Sequence, residues 1–130
     1  MNTAVIGIGS NIRPAANVRK AINIISGSHE CVAISRIRKT KPVGYKDQPD
    51  YLNGAMLIST NHSMRELRKW LKSVESNLGR IRTKNSYGPR TIDLDILVWN
   101  KKIVDDEVFQ RDFLKKAVEE LLPGQELQKI

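Results

Sequence analysis

Two hydrophobic periods take turns along the chain. Residues 3–8 are β-branched and apolar and read as a buried strand. Pro14 suits a first helical turn. Ala15, Val18, Ile22 and Ile25 then recur at helical spacing, with Gly27 as the expected stop. Residues 31–40 return to strand, with Val32, Ala33 and Ile34 as the buried part and Arg36, Arg38 and Lys39 along a solvated edge. Pro42, Gly44 and Pro49 punctuate a loop. A third strand spans 51–60, where Leu52, Met56 and Ile58 take one face and Tyr51 and Asn53 the other.

Ser63 and Glu66 have the spacing of a capping box. The helix it opens carries a stripe of Met64, Leu67, Leu71, Val74 and Leu78 and closes at Gly79. Trp70 borders the stripe, and Glu75 lies off it as an exposed acid would. Residues 80–87 are basic, with little apolar content, and read as a mobile loop. A fourth strand starts near Thr91, and residues 100–104 form a turn and a short strand. Phe109, Phe113, Leu114, Ala117, Val118, Leu121 and Leu122 predict a final amphipathic helix ended by Pro123-Gly124, followed by a frayed polar tail. The order β-α-β-β-α-β plus a C-terminal helix predicts an α+β, ferredoxin-like sandwich, with helices on one side of a mainly antiparallel sheet. No repeat or linker divides it, so a single domain over residues 1–130 is expected.

Composition narrows the chemistry. Cys31 is the one cysteine, so no intramolecular disulfide is expected, and with His29 and His62 it is too small a set for structural zinc. No apolar run approaches the length of a membrane span, and the N-terminus lacks the pattern of a signal peptide. A cytoplasmic, monomeric protein without membrane contact is the expectation. A net charge of +8 calls for an anionic partner or substrate. Aromatic content of 5% argues against nucleic acid, because base-binding sheets of this shape stack bases on aromatic strands.

The most informative stretch is Gly88-Pro89-Arg90-Thr91-Ile92-Asp93-Leu94-Asp95. Gly-Pro makes a turn. On the strand after it, Asp93 and Asp95 share one face while Ile92, Leu94 and Ile96 point to the core. Polar alternation alone is the default of a half-buried strand. Arg90 just ahead of the acids, and Arg80, Arg82 and Lys84 in the loop before, change that reading. Carboxylates facing cations suit Mg²⁺ carrying a polyphosphate, because Mg²⁺ takes one or two carboxylates plus substrate phosphates. Tyr51 and Asn53 could hold a flat heteroaromatic ring by stacking and edge hydrogen bonds, or could simply face solvent.

With Asp47-Gln48-Pro49-Asp50-Tyr51-Leu52-Asn53, Gly79-Arg80-x-Arg82 and Gly88-Pro89-Arg90-Thr91-x-Asp93-Leu94-Asp95 in order, the chain resembles the 6-hydroxymethyl-7,8-dihydropterin pyrophosphokinase family over about residues 4–99. The resemblance implies transfer of pyrophosphate from ATP to a pterin hydroxymethyl group, with release of AMP. It implies two Mg²⁺ ions on Asp93 and Asp95, with Asp95 assisting the attacking hydroxyl, and Arg80 and Arg90 steadying the transferred group. Arg82, Lys84, Arg111 and Glu75 would serve the nucleotide. The pterin would lie between Tyr51 and Phe113, with Asn53 on its edge and backbone groups of Thr40 and Val43 completing its hydrogen bonds. Loops 40–49 and 83–87 would close over the substrates. The chain departs from the family pattern in two places. Tyr87 stands where the family usually carries tryptophan, and the segment before the last helix is short, with no histidine after His62. Two alternatives stay open: a relative that binds pterin or nucleotide with weakened turnover, and a basic nucleic-acid-binding module.

Overall fold

The structure, a computed structural model, describes residues 1–42, 46–80 and 89–129. Its centre is β1 (Asn2–Ser10), which runs antiparallel to β4 (Tyr51–Thr60) on one side and to β5 (Asp93–Trp99) on the other. Ala4, Ile6 and Ile8 point to one face of the sheet and Val5 to the other, and all are buried. A strand covered on both faces reads as a continuous apolar run, which is how residues 3–8 look in the sequence.

Among the described residues the strands form one sheet. It also takes in β2 (Glu30–Ile34), β3 (Arg38–Thr40), β6 (Lys102–Ile103) and β7 (Gln128–Lys129). The order is β2-β4-β1-β5-β6-β7, with β3 also on β4, and every pairing is antiparallel except β6 with β7. The four main strands thus have the predicted ferredoxin-like arrangement. None of the described helices is long and apolar enough to cross a membrane.

One face carries α1 (Pro14–Ser28) and α2 (Met64–Asn77), whose Val18, Ile25, Leu67, Leu71 and Val74 pack on Ile6, Ile8, Met56 and Ile58. Burying each such side chain contributes roughly 1.5–3 kcal/mol. The capping box at Ser63 is present in both directions, and Gly79 follows the helix at φ +94°, where a side chain would be strained. Asn100 and Lys101, both at positive φ, make the two-residue hairpin turn between β5 and β6.

The expected one-sided arrangement of helices is corrected. The C-terminal segment covers the opposite face of the sheet, where Val108, Leu114, Ala117, Val118 and Leu121 pack on Val5, Ala55, Leu97 and Val98. It forms two helices, α3 (Glu107–Gln110) and α4 (Asp112–Leu121), separated by Arg111 in an extended conformation. The break leaves Phe109 45% exposed and restarts the stripe at Leu114. The tail pairs with β6 instead of fraying.

Other expectations fail for local reasons. Gly27 lies within α1, and the His29 N–H closes the helix on Ile25 O. Residues 31–40 split into two strands. A bulge between Cys31 and Ala33 turns these two residues to opposite faces and leaves Val32 and Ile34 on the outside of an edge strand. Arg38 is not a free edge charge, since it pairs with Glu120 of α4, which also accepts the Arg36 N–H at 2.8 Å.

At the far end of the sheet His29 packs edge-on against Trp70, ring centroids 4.6 Å apart, and against His62 at 5.0 Å. Burial first, and His62 second, lower the His29 pKa below its ordinary 6.5. Around that pH the folded chain therefore binds fewer protons than the unfolded chain, so stability present above about 6.5 is lost as the pH falls through it. Relative to His29→Gln, the parent's urea midpoint is expected to fall between about pH 7.5 and about pH 5.5.

Candidate active site

The two antiparallel neighbours of β1 bring the informative ends of three strands together. Gly9 lies opposite Asn53 on β4 and opposite Asp93 on β5, and Gly7 lies opposite Ala55 and Asp95. These positions face the α3–α4 side, because Ile92, Leu94 and Ile96 face the other core. With no side chain at Gly7 or Gly9, the central strand becomes the floor of a trough. Asn53 stands on one bank, with Asp93 and Asp95 on the other. A Cβ at Gly9 would lie 2.5 Å from Asn53 Oδ1, so the amide of Asn53 takes space that only glycine leaves open. The Gly-x-Gly pattern therefore serves close approach and is not a Walker phosphate loop.

Thr40, Tyr51, Asn53, Arg90, Asp93, Asp95, Arg111 and Phe113 all line this one cleft. Its cavity volume, about 130 Å³, exceeds the ~30 Å³ share of a water molecule several-fold. Thr40 is opposite Tyr51 across the β3–β4 pairing, and its hydroxyl accepts a hydrogen bond from Asn53 Nδ2. Arg111 and Phe113 come down from the helical layer, and the extended backbone at Arg111 separates the two helices beside the cleft. The cleft also takes in Lys41, Asp105 and Glu107, which sequence reasoning missed. Asp105 lies just past β6, and only folding brings it near Asp95.

Charge is organised around Asp93. Its Oδ1 accepts from Arg80 Nη1 at 3.1 Å and its Oδ2 from Arg90 Nη1 at 2.8 Å. Arg80 Nη1 also donates to Glu75 Oε2 at 2.7 Å, and that oxygen accepts the Leu94 N–H at 2.8 Å. Glu75 is thus 3% exposed and holds Arg80 from behind, which corrects its reading as a surface acid. Burial acts to lower the pKa of Arg90, but Asp93 first, then Tyr51 and Asp95, raise it overall. Burial raises that of Tyr51, with Arg90 opposing. Val43, Arg82 and Lys84 lie outside the described residues.

Asp95 makes no ion pair with another described residue. Although its side chain reaches solvent, the surrounding protein desolvates it, and Asp93 and Asp105 lie close. Together these push its carboxyl up to about 8. Among the described residues no cluster of three or more His, Cys, Asp or Glu side chains could hold a metal ion. The carboxylate pair offers oxygen donors of the kind Mg²⁺ takes: Asp95 forms no ion pair with another described residue, and Asp93 retains lone pairs beyond its two arginine bonds.

The chain is similar to known proteins along most of its length. The sequence model of the 7,8-dihydro-6-hydroxymethylpterin-pyrophosphokinase family matches residues 5–123. A 2-amino-4-hydroxy-6-hydroxymethyldihydropteridine pyrophosphokinase of Haemophilus influenzae is 40% identical over 111 residues, covering 82% of this chain and 68% of the relative. One of Bacillus subtilis is 37% identical over 110 residues, covering 82% and 65%. One of Methylorubrum extorquens is 34% identical over 132 residues, covering 98% and 83%. The chain thus spans about two thirds of the length of the first two relatives.

The charge on Asp95 has a measurable cost. Between the ordinary aspartate value of 3.8 and about 8, the folded chain keeps a proton that the unfolded chain has lost, so stability falls as pH rises across that window. Asp95→Asn is expected to be more stable than the parent at about pH 8, by on the order of 1 kcal/mol after allowance for solvent screening, and equal to it near pH 4. Thermal melts at the two pH values check this.

Proposed function

The chain belongs to the 7,8-dihydro-6-hydroxymethylpterin-pyrophosphokinase family, and on that premise we propose that it moves pyrophosphate from ATP to the hydroxymethyl group of 6-hydroxymethyl-7,8-dihydropterin, a step of folate biosynthesis. The hydroxymethyl oxygen attacks the β-phosphorus, the bond from that phosphorus to the α–β bridging oxygen breaks, and AMP leaves with that oxygen. The observation that carries this reading is the glycine-floored trough, which sets a ring-edge amide, Asn53, across from two carboxylates.

Each described residue has a task in the proposal. Tyr51 and Phe113 flank the flat pterin, and Asn53, oriented by Thr40, reads its edge. Two Mg²⁺ ions held by Asp93 and Asp95 would supply neutralisation of the triphosphate charge. Arg80 and Arg90, already aimed at Asp93, steady the transferred group, and Arg111 serves the nucleotide. Glu75 acts through Arg80. In its ionised form Asp95, which forms no ion pair with another described residue, takes the hydroxyl proton. Phosphoryl transfer asks mainly for positioning and charge stabilisation, so this set is sufficient without a histidine or cysteine nucleophile. A monomeric enzyme working in the cytoplasm, where ATP is supplied, completes the proposal.

Incubation with the pterin, ATP and Mg²⁺ is expected to release AMP, and Asp95→Ala is expected to lower the rate by on the order of 100-fold or more. No AMP above that control would remove the proposal. Gly9→Ala, which displaces Asn53, is expected to raise the KM for pterin about tenfold while leaving the KM for ATP unchanged; initial-rate kinetics separate the two.

A further inference from the structure

Helix α4 has a cavity at each end. Phe113, in its first turn, lines the cleft, and Leu122, just past its last residue, lines a second cavity on the same face of the sheet. The register sets Leu57, Val5 and Val98 in one row across β4, β1 and β5, and all three side chains face the α3–α4 side. The roof stops before it covers this row. Between the row and Leu122 lies a volume of about 180 Å³, against about 130 Å³ in the cleft.

The floor of this cavity is apolar and broad. Three adjacent strands span roughly 10 Å, enough for one flat ring. About 150 Å³ of apolar cavity already holds a benzene molecule. The rim has another character. Thr3 lies two residues before Val5 on the same face, Lys101 stands in the β5–β6 turn, and Gln125 follows α4. Hydroxyl, ammonium and amide can each donate a hydrogen bond. None of the lining residues is acidic, and no carboxylate among the described residues forms an ion pair with Lys101. Leu57 and Leu122 are only half-buried, so an apolar body placed here would remove their surface from water.

We infer that this cavity binds a small monocarboxylate with a flat apolar body, its ring on the row of Leu57, Val5 and Val98 and its carboxylate at Lys101. An inorganic anion would leave the floor uncovered. An uncharged hydrocarbon would leave the ammonium without a counter-ion. The proposed reaction has no use for this ligand, since pterin and nucleotide belong to the cleft at the other end of α4. The inference therefore does not rest on the enzymatic reading.

Three probes separate the contributions: benzoate, benzyl alcohol, which keeps the ring without the charge, and acetate, which keeps the charge without the ring. Each is titrated into the ¹⁵N-labelled chain, and the amide signals of Val5, Leu57, Val98 and Leu122 are followed by NMR. Benzoate is expected to shift them saturably with a Kd on the order of 1 mM or tighter. Benzyl alcohol and acetate are each expected to bind at least about tenfold more weakly. Lys101→Gly keeps the turn, because glycine takes the φ of +67° freely, and is expected to reduce benzoate to the affinity of benzyl alcohol. Leu57→Trp, which fills the cavity, is expected to weaken benzoate and benzyl alcohol alike. The titrations of the parent decide the matter even where a variant does not fold. No saturable shift at these amides up to about 10 mM, shifts confined to the cleft at Asn53 and Asp95, or equal binding of benzoate and either other probe overturns the inference. None of these outcomes touches AMP release, so the enzymatic assignment is judged by its own assay.

Discussion

Two missing side chains on the central strand shape everything around the cleft. β1 is covered on both faces and bordered on both edges, so anything placed on it is buried. At Gly7 and Gly9 nothing is placed, and the strand becomes a floor instead of a packed layer. The pairing of β1 with β4 and β5 then sets Asn53 and the aspartates at a fixed spacing, because hydrogen-bonded strands hold their separation near 4.8 Å. Rigid sheet, and not loop, carries the groups on both banks. Strand-borne groups keep the positional accuracy that a transfer reaction between two bound substrates demands.

Charge is handled by the same economy of placement. Asp93 is held by two arginines, and one of these is held in turn by the buried Glu75, which also accepts the Leu94 N–H of β5. Losing any member would strand a half-buried charge, an expensive outcome in a low-dielectric setting. Asp95, two residues along the same face, forms no ion pair with another described residue and feels Arg90 only at longer range. The site therefore keeps one acid neutralised and the other in want of a cation, an arrangement that stores binding capacity at the cost of stability.

Much of this was legible before folding. The capping box at Ser63, the Gly79 stop, the facing of Asp93 and Asp95 and the main strand order follow from local chemistry and periodicity, and they stand in the structure. Where periodicity misled, a tertiary contact had overruled it. Val32 and Ile34 are apolar yet exposed, because a bulge in an edge strand breaks the alternation. Phe109 fits a helical stripe but lies outside it, because the chain breaks at Arg111. Glu75 sits off the apolar stripe, yet it is buried because Arg80 folds back onto it.

By itself, then, the sequence determined which elements form and which side chains share a face. Both depend on neighbours within a few residues, which the backbone periods of 2 and 3.6 relate directly. It also carried the motif that names the family. Only the tertiary structure decided that the C-terminal helices roof the trough, that Asp105 crowds Asp95, and that Leu57, Val5 and Val98 share one row past the end of α4. Those relations arise where the strand register and the packing of the second helical layer bring distant residues into contact, and no local pattern encodes that distance.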